Sequence, residues 1–600
     1  MKILFSAAEC VPFIKTGGLA DVVGALSPVL AKAGHDVKVM LPLYTQIPEE
    51  YQKQMKHKVD FEIDLGWRKQ YCGIEELNYR GVTFWFVDNK YYFGRNYIYG
   101  MGGDEHERFG FFCRACLNAL PMLDFQPDLI HCHDWQSGMI PALLRIQYDH
   151  LPFFANIRTV FTIHNLQYQG IFGIRDVQDI LGLGDSLFTN DKLECYGCAN
   201  YMKAALVYAD EITTVSPSYS EEIQTAYYGE RLDGLLRAKN NHLSGILNGI
   251  DIGEYDPAAD PQIAANYTAD DMSGKAECKR KLQEELGLNI DPAAPIVAII
   301  SRLNNQKGLD LVDYVISDIM NENIQLVVLG MGDARYVNLF SWAEQQYPGR
   351  VAARFRMDAG LAHRVYAGAD MFLMPSQFEP CGLSQLIALR YGTVPIVRET
   401  GGLRDTVLSY NEYNGDGNGF SFFNYNAHDM LYTLRRAIGY YRNDRAVWEK
   451  LQRRGMTGDY SWAHSAETYV QLYSKVLRAA EEWRRAVETA AAEAENARKE
   501  AEKKLAERAA SAVKAEEKAE EKKPAKKAPA KKAAPKKAEA KPEEKTEEKK
   551  PARRKTVKAS RQATERRDSN AAPFKKQSRF FTETGGAVLK PPAVYDLPKR

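Results

Sequence analysis

The hydrophobic and polar positions in the first half of the chain follow two alternating periods. Short runs rich in β-branched and aromatic residues predict strands: KILFS, DVKVML, VTFWFV, DLIHC, TVFTIH and EITTVS. Longer segments between these runs have helical spacing, as in LADVVGALSPVLAKAG, which ends at Gly34 as a glycine-capped helix does. Because strands and helices alternate, the pattern predicts a doubly wound parallel sheet.

The second half of the chain repeats the pattern. Strands are predicted at APIVAIIS, IQLVVLG, MFLMP and TVPIV, with a helical segment after each. We therefore predict two α/β domains, residues 1–247 and residues 248–477, joined by a hinge in the Pro-, Gly- and Asp-containing stretch 248–295. A C-terminal helix near Trp462 is expected to cross back to the first domain. Ligands of such folds bind where the carboxyl ends of the strands meet.

Residues 478–600 differ from the rest of the chain in composition and charge. Residues 481–600 hold 34 Lys/Arg against 21 Asp/Glu, which leaves 45 against 57 in residues 1–480. An Ala/Glu/Lys-rich stretch predicts a solvated or partly formed helix, and the Pro-Ala-Lys units after it predict disorder, since they cannot bury a core. We expect a solubilising or tethering tail; the alternative is salt-sensitive binding of polyanions.

Composition narrows the class of protein. Hydrophobic residues make up 45% of the chain, and no run approaches the roughly 18 apolar residues of a membrane helix. The apolar N-terminus is strand-like and has no clear cleavage site, and nine scattered cysteines are typical of reduced thiols, so we expect a cytoplasmic protein without a membrane partner. The pairs Cys113/Cys116 and Cys195/Cys198 would make a zinc site only if they converged; we favour free thiols and no metal.

Two Gly-Gly loops each open a predicted helix. The first is IKTGGLAD, with Lys15 before Gly17 and Gly18, and the second is TGG at residues 400–402. The spacing fits neither the P-loop, whose lysine follows the glycines, nor G-x-G-x-x-G. Free N–H groups at a helix start, bare glycines and a lysine favour an anion site, although a tight turn is the alternative. Two such loops in facing domains favour a nucleotide diphosphate sugar.

Polar residues follow several of the predicted strands. Taken singly, such residues are more often caps or turn formers than ligands. Arg302 and Lys307 lie on one loop, where two cations suit a diphosphate leaving group; a surface charge pair is the alternative. The other candidates at strand ends are His164, Asn165, Asn248, Glu379, Cys381 and Gly382.

Several of these stretches together resemble the bacterial glycogen synthases and plant starch synthases. They are KTGGLADV, HDW, IHN, NGID, SRLNNQKG, AHRVYAGADMFLMPSQFEPCGLSQL and TGGLRDTV, in the family's order and covering about residues 1–477. The resemblance implies a GT-B fold, with two Rossmann-like domains facing a central cleft. It also implies transfer of glucose, with retention, from ADP-glucose to the non-reducing end of an α-1,4-glucan such as glycogen.

The resemblance also assigns roles to residues. It implies a catalytic group of Glu379, Arg302, Lys307, His164 and Asp21. It implies that substrates are bound by Lys15, Gly17, Gly18, Asp134, Asn165, Asn248, Cys381, Gly382, Thr400, Gly401 and Gly402, with Tyr99 near the acceptor. The sequence contains no Asp-x-Asp motif, so we expect no metal and no cofactor, with the loop cations neutralising the diphosphate.

Three alternatives remain open. The same fold and site can serve UDP-glucose or another sugar donor, because the base contacts are not readable from the sequence. Glucan phosphorolysis shares the architecture but requires a pyridoxal-phosphate lysine and a longer catalytic chain. A weakly catalytic glucan or polyanion tether is the third. The oligomeric state is not readable from the sequence.

Overall fold

The computed structural model describes residues 1–100 and 103–520. Residues Met1–Ala506 form one compact unit, and a second unit begins at Glu507. Both predicted sheets lie in the first unit. The disorder predicted for the Pro-Ala-Lys units falls on residues 521–600, which lie outside the described residues.

The strands of the first half build the first domain. They are β1 (Lys2–Ser6), β2 (Asp36–Pro42), β3 (Lys56–Leu65), β4 (Arg68–Tyr79), β5 (Val82–Asp88), β6 (Leu129–His133), β7 (Arg158–Ile163), β8 (Ile171–Phe172), β9 (Glu194–Cys195), β10 (Cys198–Asn200), β11 (Glu211–Thr214) and β12 (Leu243–Gly245). Among the described residues, nine of them form one sheet in the order β12-β11-β7-β6-β1-β2-β5-β4-β3. β8, β10 and β9 form a small separate antiparallel sheet.

One edge of the first sheet differs from the prediction. β1, β2, β5, β6, β7 and β11 pair in parallel as predicted, and β12, which was not predicted, joins them in parallel. β4, however, runs antiparallel to both β3 and β5. The sheet is therefore mixed rather than wholly parallel. The physical reason is local: β3 and β4 are joined by a two-residue turn at Gly66 and Trp67, so no crossover helix separates them. Residues 56–65 alternate polar and apolar side chains, which is the signal of a half-buried edge strand.

The second domain has a wholly parallel sheet. Its strands are β13 (Ile296–Ile300), β14 (Gln325–Leu329), β15 (Val351–Arg354), β16 (Met371–Met374), β17 (Val394–Arg398) and β18 (Phe420–Phe422), in the order β15-β14-β13-β16-β17-β18. Alternate side chains of β13 enter two different cores: Val297 and Ile299 face one, Ile296 and Ala298 the other. Burial on both faces explains the continuous apolar run in the sequence.

Helices cover both sheets. In the first domain they are α1 (Gly18–Lys32), α2 (Glu49–Gln52), α3 (Lys90–Phe93), α4 (Glu105–Met122), α5 (Met139–Leu143), α6 (Ile174–Leu181), α7 (Tyr201–Tyr208), α8 (Pro217–Glu222) and α9 (Asp233–Ala238). In the second they are α10 (Ser273–Leu286), α11 (Leu309–Asn321), α12 (Ala334–Gln346), α13 (Ala359–Gly368), α14 (Ser384–Arg390), α15 (Gly401–Thr406), α16 (Ala427–Asn443) and α17 (Arg445–Thr457). No helix in the described ranges is both long and apolar enough to cross a membrane.

The last helix, α18 (Trp462–Glu520), begins after the second domain and packs on the first. Its side chains Trp462, Tyr469, Tyr473 and Val476 belong to the core of the first domain. The Tyr473 hydroxyl hydrogen-bonds Nδ1 of His131 in β6 at 2.7 Å. All side chains from Glu481 to Ala515 are exposed, because this stretch offers few apolar anchors.

The strand order locates the expected ligand site. β1 lies between β2 and β6, and β13 lies between β14 and β16, so the strand order reverses at both β1 and β13. The carboxyl ends of such strands open onto a crevice that is not covered by a crossover helix. The loops that follow β1 and β13 are those that carry Lys15 to Gly18 and Arg302 to Lys307.

Candidate active site

A cavity of about 1250 Å³ lies between the two sheets and takes its walls from both domains. Most of the residues singled out in the sequence line it. They are Lys15, Gly17, Gly18, Asp21, Tyr99, Asp134, His164, Asn165, Asn248, Arg302, Lys307, Glu379, Cys381 and Gly382. The fold therefore brings together groups that are separated by as much as 367 positions in the chain.

The loop after β1 presents an ion pair to the cavity. Lys15 Nζ donates to Asp21 Oδ1 at 2.7 Å, and Asp21 lies in the first turn of α1. Burial raises the pKa of the Asp21 carboxyl, and the Lys15 ammonium opposes that shift. Leu383 of the second domain lies across the cleft from Gly18, close enough to contact a methyl group placed there. The start of α1 is therefore a wall shared with the facing domain.

Glu9 is a site residue that sequence reasoning missed. Its buried carboxylate accepts hydrogen bonds from the Thr16 backbone N–H, from Gly17 N at 3.2 Å, from Thr16 Oγ1 at 2.6 Å and from the Tyr99 hydroxyl at 2.7 Å. The carboxylate thus accepts from N–H groups of the first Gly-Gly loop that we expected to bind an anionic ligand. Its hydrogen bond with the Tyr99 hydroxyl also links Tyr99 to the loop. A carboxylate three residues beyond a buried strand was the available signal.

The ends of β6 and β7 meet at Asp134 and His164. Asp134 Oδ1 accepts from the His164 backbone N–H at 2.7 Å. Burial raises the pKa of Asp134 to about 7, while the hydrogen bonds from the His164 and Asn165 N–H groups oppose the shift. The Asp134 backbone has φ 54° and ψ 179°, a region nearly reserved for glycine that costs about 1–3 kcal/mol in other residues. Such strain is held at this cavity wall by the surrounding sheet.

His164 is a neutral side chain at the cavity. Burial lowers its pKa to about 3. Its Nε2 lies 3.0 Å from Nδ1 of His133, which is the last residue of β6. A neutral imidazole in this position can exchange hydrogen bonds with hydroxyl groups but carries no charge to a phosphate.

The second domain supplies a buried ion pair. Lys307 Nζ lies 2.6 Å from Glu379 Oε2, and Ser376 Oγ donates to the same oxygen at 3.0 Å. Arg302 lies on the same loop as Lys307, and its Nη2 reaches Gln306 Oε1 at 3.5 Å. The loop after β13 and the loop after β16 therefore place two cations and one carboxylate at the cavity.

Asn248, at the start of the hinge just after β12, lies beside Cys381 of the second domain. Both side chains are buried, and Asn248 Oδ1 has no hydrogen-bond partner among the described residues. Burial raises the pKa of the Cys381 thiol to about 12, so this cysteine is a neutral wall of the site. Gly382 has φ 73°, which favours glycine there.

The second Gly-Gly loop lies away from the cavity. Thr400, Gly401 and Gly402 are buried and do not line it, so their contact with a glucosyl unit stays a prediction. The Gly401 N–H donates to Glu222 Oε1 of the first domain at 2.9 Å, and Thr400 Oγ1 donates to it at 3.1 Å. Gly401 also packs so closely that a Cβ would lie 2.0 Å from the Glu379 carbonyl oxygen. The loop packs against the backbone of Glu379, and its hydrogen bonds to Glu222 join the two domains.

Further lining residues carried no sequence motif. The segment Arg356 to Ala359 and the side chain of Tyr255 line the cavity on the second-domain side. Tyr255 stacks on His363 with ring centroids 5.0 Å apart. These residues fall in loops and on α13, where no periodic or glycine-rich pattern marked them.

The cysteine pairs do not form a metal site in the part of the chain that the structure describes. No three His, Cys, Asp or Glu side chains converge there in a way that could hold a metal ion. Cys113 and Cys116 are buried, with Cys113 Sγ donating to the Gln136 carbonyl at 3.3 Å. Cys195 and Cys198 are free thiols on the neighbouring strands β9 and β10.

Comparison with known proteins agrees with this architecture. Residues 2–238 match the family model described as starch synthase catalytic domain, and residues 283–452 match glycosyl transferases group 1. The glycogen synthase of Geobacillus thermodenitrificans is 56% identical over 478 residues, which cover 80% of this chain and 98% of that protein. The glycogen synthase of Clostridium novyi is 52% identical over 478 residues, covering 80% of this chain and 99% of that protein.

Solved structures place the chain among the same enzymes. The catalytic domain of starch synthase IV from Arabidopsis thaliana, solved bound to ADP and acarbose, superposes with a TM-score of 0.75 at 34% identity, over 80% of this chain and 99% of that one. Sucrose-phosphate synthase from Thermosynechococcus elongatus, at 19% identity and a TM-score of 0.51, shares the fold alone. The GT-B fold and the resemblance described above are thereby confirmed. The chain belongs to the glycogen and starch synthase family of glycosyltransferases.

Proposed function

We propose that this chain transfers glucose, with retention, from ADP-glucose to the non-reducing end of an α-1,4-glucan. The observation that carries the proposal is the shared cleft, a cavity of about 1250 Å³. Arg302 and Lys307 of one domain line it together with Lys15 and His164 of the other. The Arabidopsis starch synthase bound to ADP and acarbose supports assigning this cleft to a nucleotide and a glucan.

The diphosphate is assigned to the cations. Arg302 and Lys307 would neutralise the charge that develops on ADP as the glycosidic bond breaks, and Lys15 with the start of α1 would add to the same field. Each lysine is already held in place by a carboxylate, Lys307 by Glu379 at 2.6 Å and Lys15 by Asp21 at 2.7 Å. Such preorganisation lowers the reorganisation cost in the transition state.

The glucosyl unit is assigned to the neutral polar wall. Asn248 Oδ1 is a buried acceptor without a partner among the described residues, which makes it available to a sugar hydroxyl. His164 is neutral at pH 7 because burial lowers its pKa to about 3. The Cys381–Gly382 segment beside Glu379 forms the rest of this wall. Neutral donors and acceptors can pair with sugar hydroxyls, which both donate and accept hydrogen bonds.

The acceptor glucan is assigned to the first-domain side. Tyr99, Trp135 and Tyr168 line the cavity there, and Glu9 fixes the Tyr99 hydroxyl at 2.7 Å. Aromatic rings with a polar tip give a glucan both an apolar face and a hydrogen bond.

Retention is proposed to proceed by front-face attack. The acceptor hydroxyl would approach from the side of the departing phosphate, which helps remove its proton, through an oxocarbenium-like transition state. Glu379 is engaged by Lys307 and Ser376, so its proposed role is to position the glucosyl unit and the cation rather than to form a covalent intermediate. We propose that the reaction needs no metal ion, because Arg302, Lys307 and Lys15 supply the positive charge.

The test is nucleotide release in the presence of glycogen, with ADP-glucose and UDP-glucose compared in EDTA. Release of ADP with growth of α-linked chains is the expected result. A preference for UDP-glucose would overturn the donor but keep the site. Activity that is lost in EDTA and restored by Mg²⁺ would overturn the metal-free proposal. Glucan binding without transfer from either donor would favour the tether alternative.

A matched pair of variants ties the activity to the cleft. K307M removes a cavity cation, whereas K69M removes a lysine whose pair with Glu62 is solvent-exposed, with both side chains 65% accessible. We expect K307M to abolish most of the transfer and K69M to leave it unchanged. Equal activities would overturn the assignment of Lys307 to the diphosphate.

A further inference from the structure

A hydrogen bond joins the buried imidazole rings of His133 and His164. Nδ1 of His133 and Nε2 of His164 lie 3.0 Å apart. His164 lines the cavity, but His133 does not. Burial lowers the pKa of both rings, in His164 to about 3, so at neutral pH both rings are neutral and each carries one proton. Only one of those two protons can lie between the rings.

Two proton arrangements satisfy this bond, and they differ in cost. If His164 donates from Nε2, His133 must carry its own proton on the other nitrogen, Nε2. That atom is buried and has no hydrogen-bond partner among the described residues, so the arrangement leaves an N–H group sealed without an acceptor. If His133 donates from Nδ1, its Nε2 keeps only a lone pair. An unpaired buried donor is rarer and more costly in proteins than an unpaired acceptor.

The surroundings of His133 leave no third arrangement. One face of the ring stacks on Phe5, with centroids 5.2 Å apart and planes 12° apart. The neighbouring His131 ring has both nitrogens engaged, Nδ1 by the Tyr473 hydroxyl at 2.7 Å and Nε2 by Thr162 Oγ1 at 2.6 Å. His131 therefore has no nitrogen free for His133, and His164 is the one hydrogen-bond partner that the described residues offer to the His133 ring.

We infer that His133 is a positioning residue that fixes the tautomer of His164. The Nδ1–H group of His133 donates to Nε2 of His164, so the proton of His164 stays on Nδ1. This nitrogen makes no hydrogen bond to the described residues, and it is the one that a ligand in the cavity can reach. His164 therefore presents a hydrogen-bond donor to an oxygen of the bound sugar. The significance of this donor rests on the proposed function, whereas the tautomer itself does not.

Nuclear magnetic resonance of the full chain labelled with ¹⁵N-histidine reads the tautomer directly. The variants H133N and H164Q assign the two rings among the 11 histidines. We expect the proton of His133 on Nδ1, the proton of His164 on Nδ1, and a coupling between His133 Nδ1 and His164 Nε2 across the hydrogen bond. A His164 ring protonated on Nε2, or a shift averaged between two tautomers, would overturn the inference. This result is independent of any transfer activity.

Kinetics separate positioning from structural support. H133F keeps the ring shape and the stacking on Phe5 but removes the donor, whereas H133N retains an N–H group near the position of Nδ1. We expect H133F to lower kcat/KM for ADP-glucose about tenfold, the effect of one lost hydrogen bond, and H133N to restore most of it at a similar Tm. Equal losses in both variants, or no loss in H133F, would overturn the positioning role. If the wild-type chain transfers no sugar, the proposed function fails while the tautomer result stands.

Discussion

The ion pair between Lys307 and Glu379 is where stability and activity should separate most clearly. Lys307 Nζ and Glu379 Oε2 are 2.6 Å apart, and the two side chains are only 16% and 8% exposed. At an effective dielectric constant of about 20, two unit charges at this distance attract by about 6 kcal/mol before desolvation is subtracted. Removing one partner from such a pair typically costs about 3–5 kcal/mol, because the remaining charge stays buried.

We predict that K307M lowers the free energy of unfolding by about 3 kcal/mol at pH 7, since Ser376 still donates to the stranded carboxylate. The double variant K307M/E379Q should regain most of that loss, because it leaves no uncompensated charge. Urea denaturation followed by circular dichroism measures both. The control is K69M in the exposed pair with Glu62, which should change stability by less than about 1 kcal/mol.

Activity should follow the opposite order. Without the cation at the departing diphosphate, K307M should lower kcat about 10²–10³-fold, the usual effect of losing one transition-state partner. The double variant should be at least as inactive although it is more stable than K307M. Two results would refute the reasoning. A loss of stability below about 1 kcal/mol in K307M would mean that the two charges do not depend on each other in the folded state. Recovery of activity in the double variant would mean that the Lys307 cation does not act on the diphosphate.

Three further predictions concern the pH response, the glycine loops and the domain contact. The folded-state pKa of Asp134 is raised to about 7, well above its usual value near 4, so the unfolded chain ionises first as pH rises. The free energy of unfolding of the wild type, measured by urea denaturation, should therefore fall by about 4 kcal/mol relative to that of D134N between about pH 4 and pH 7. If the two free energies changed with pH in parallel, this prediction would be contradicted. G401A should destabilise the fold by more than about 2 kcal/mol and lower kcat, because φ of Gly401 is 44° and a Cβ there would lie 2.0 Å from a carbonyl oxygen. At Gly17, by contrast, a Cβ would meet no atom within 4 Å. G17A should therefore keep its Tm and raise KM for ADP-glucose, and equal Tm losses in both variants would contradict the packing argument. E222Q weakens the acceptor of the Gly401 N–H, so the radius of gyration in small-angle scattering and KM should both rise, and unchanged values would show that this contact does not hold the domains together.

The central strands of both sheets could be predicted because each is decided locally. The run APIVAIIS became β13, buried on both faces, since a parallel strand covered by helices needs apolar side chains at every position. The β3–β4 hairpin was missed because the alternation of strands and helices elsewhere led us to expect only parallel strands. Residues 56–65 do alternate between polar and apolar side chains, but this signal is weak because one face of the strand is exposed.

The candidate site divides in the same way. Lys15, Arg302, Lys307 and Glu379 could be chosen because they follow strands whose carboxyl ends meet at one crevice. The roles of the two Gly-Gly loops could not be separated in sequence, since TGG precedes a helix in both. In the fold, Gly18 lines the cavity, while Gly401 is covered by Glu222 from the other domain.

The sequence by itself determined the class of fold, the order of the central strands and the residue types available for chemistry, because periodicity and strand-end position are properties of neighbours along the chain. Tertiary structure alone decided which groups are partners. Glu9 accepts from N–H groups of the first loop, and Lys307 pairs with a carboxylate 72 residues away. His133 at the end of β6 reaches His164, which follows the neighbouring strand β7. These pairings, and the burial that shifts the pKa of Asp134 and His164, depend on how the sheets and loops pack in space.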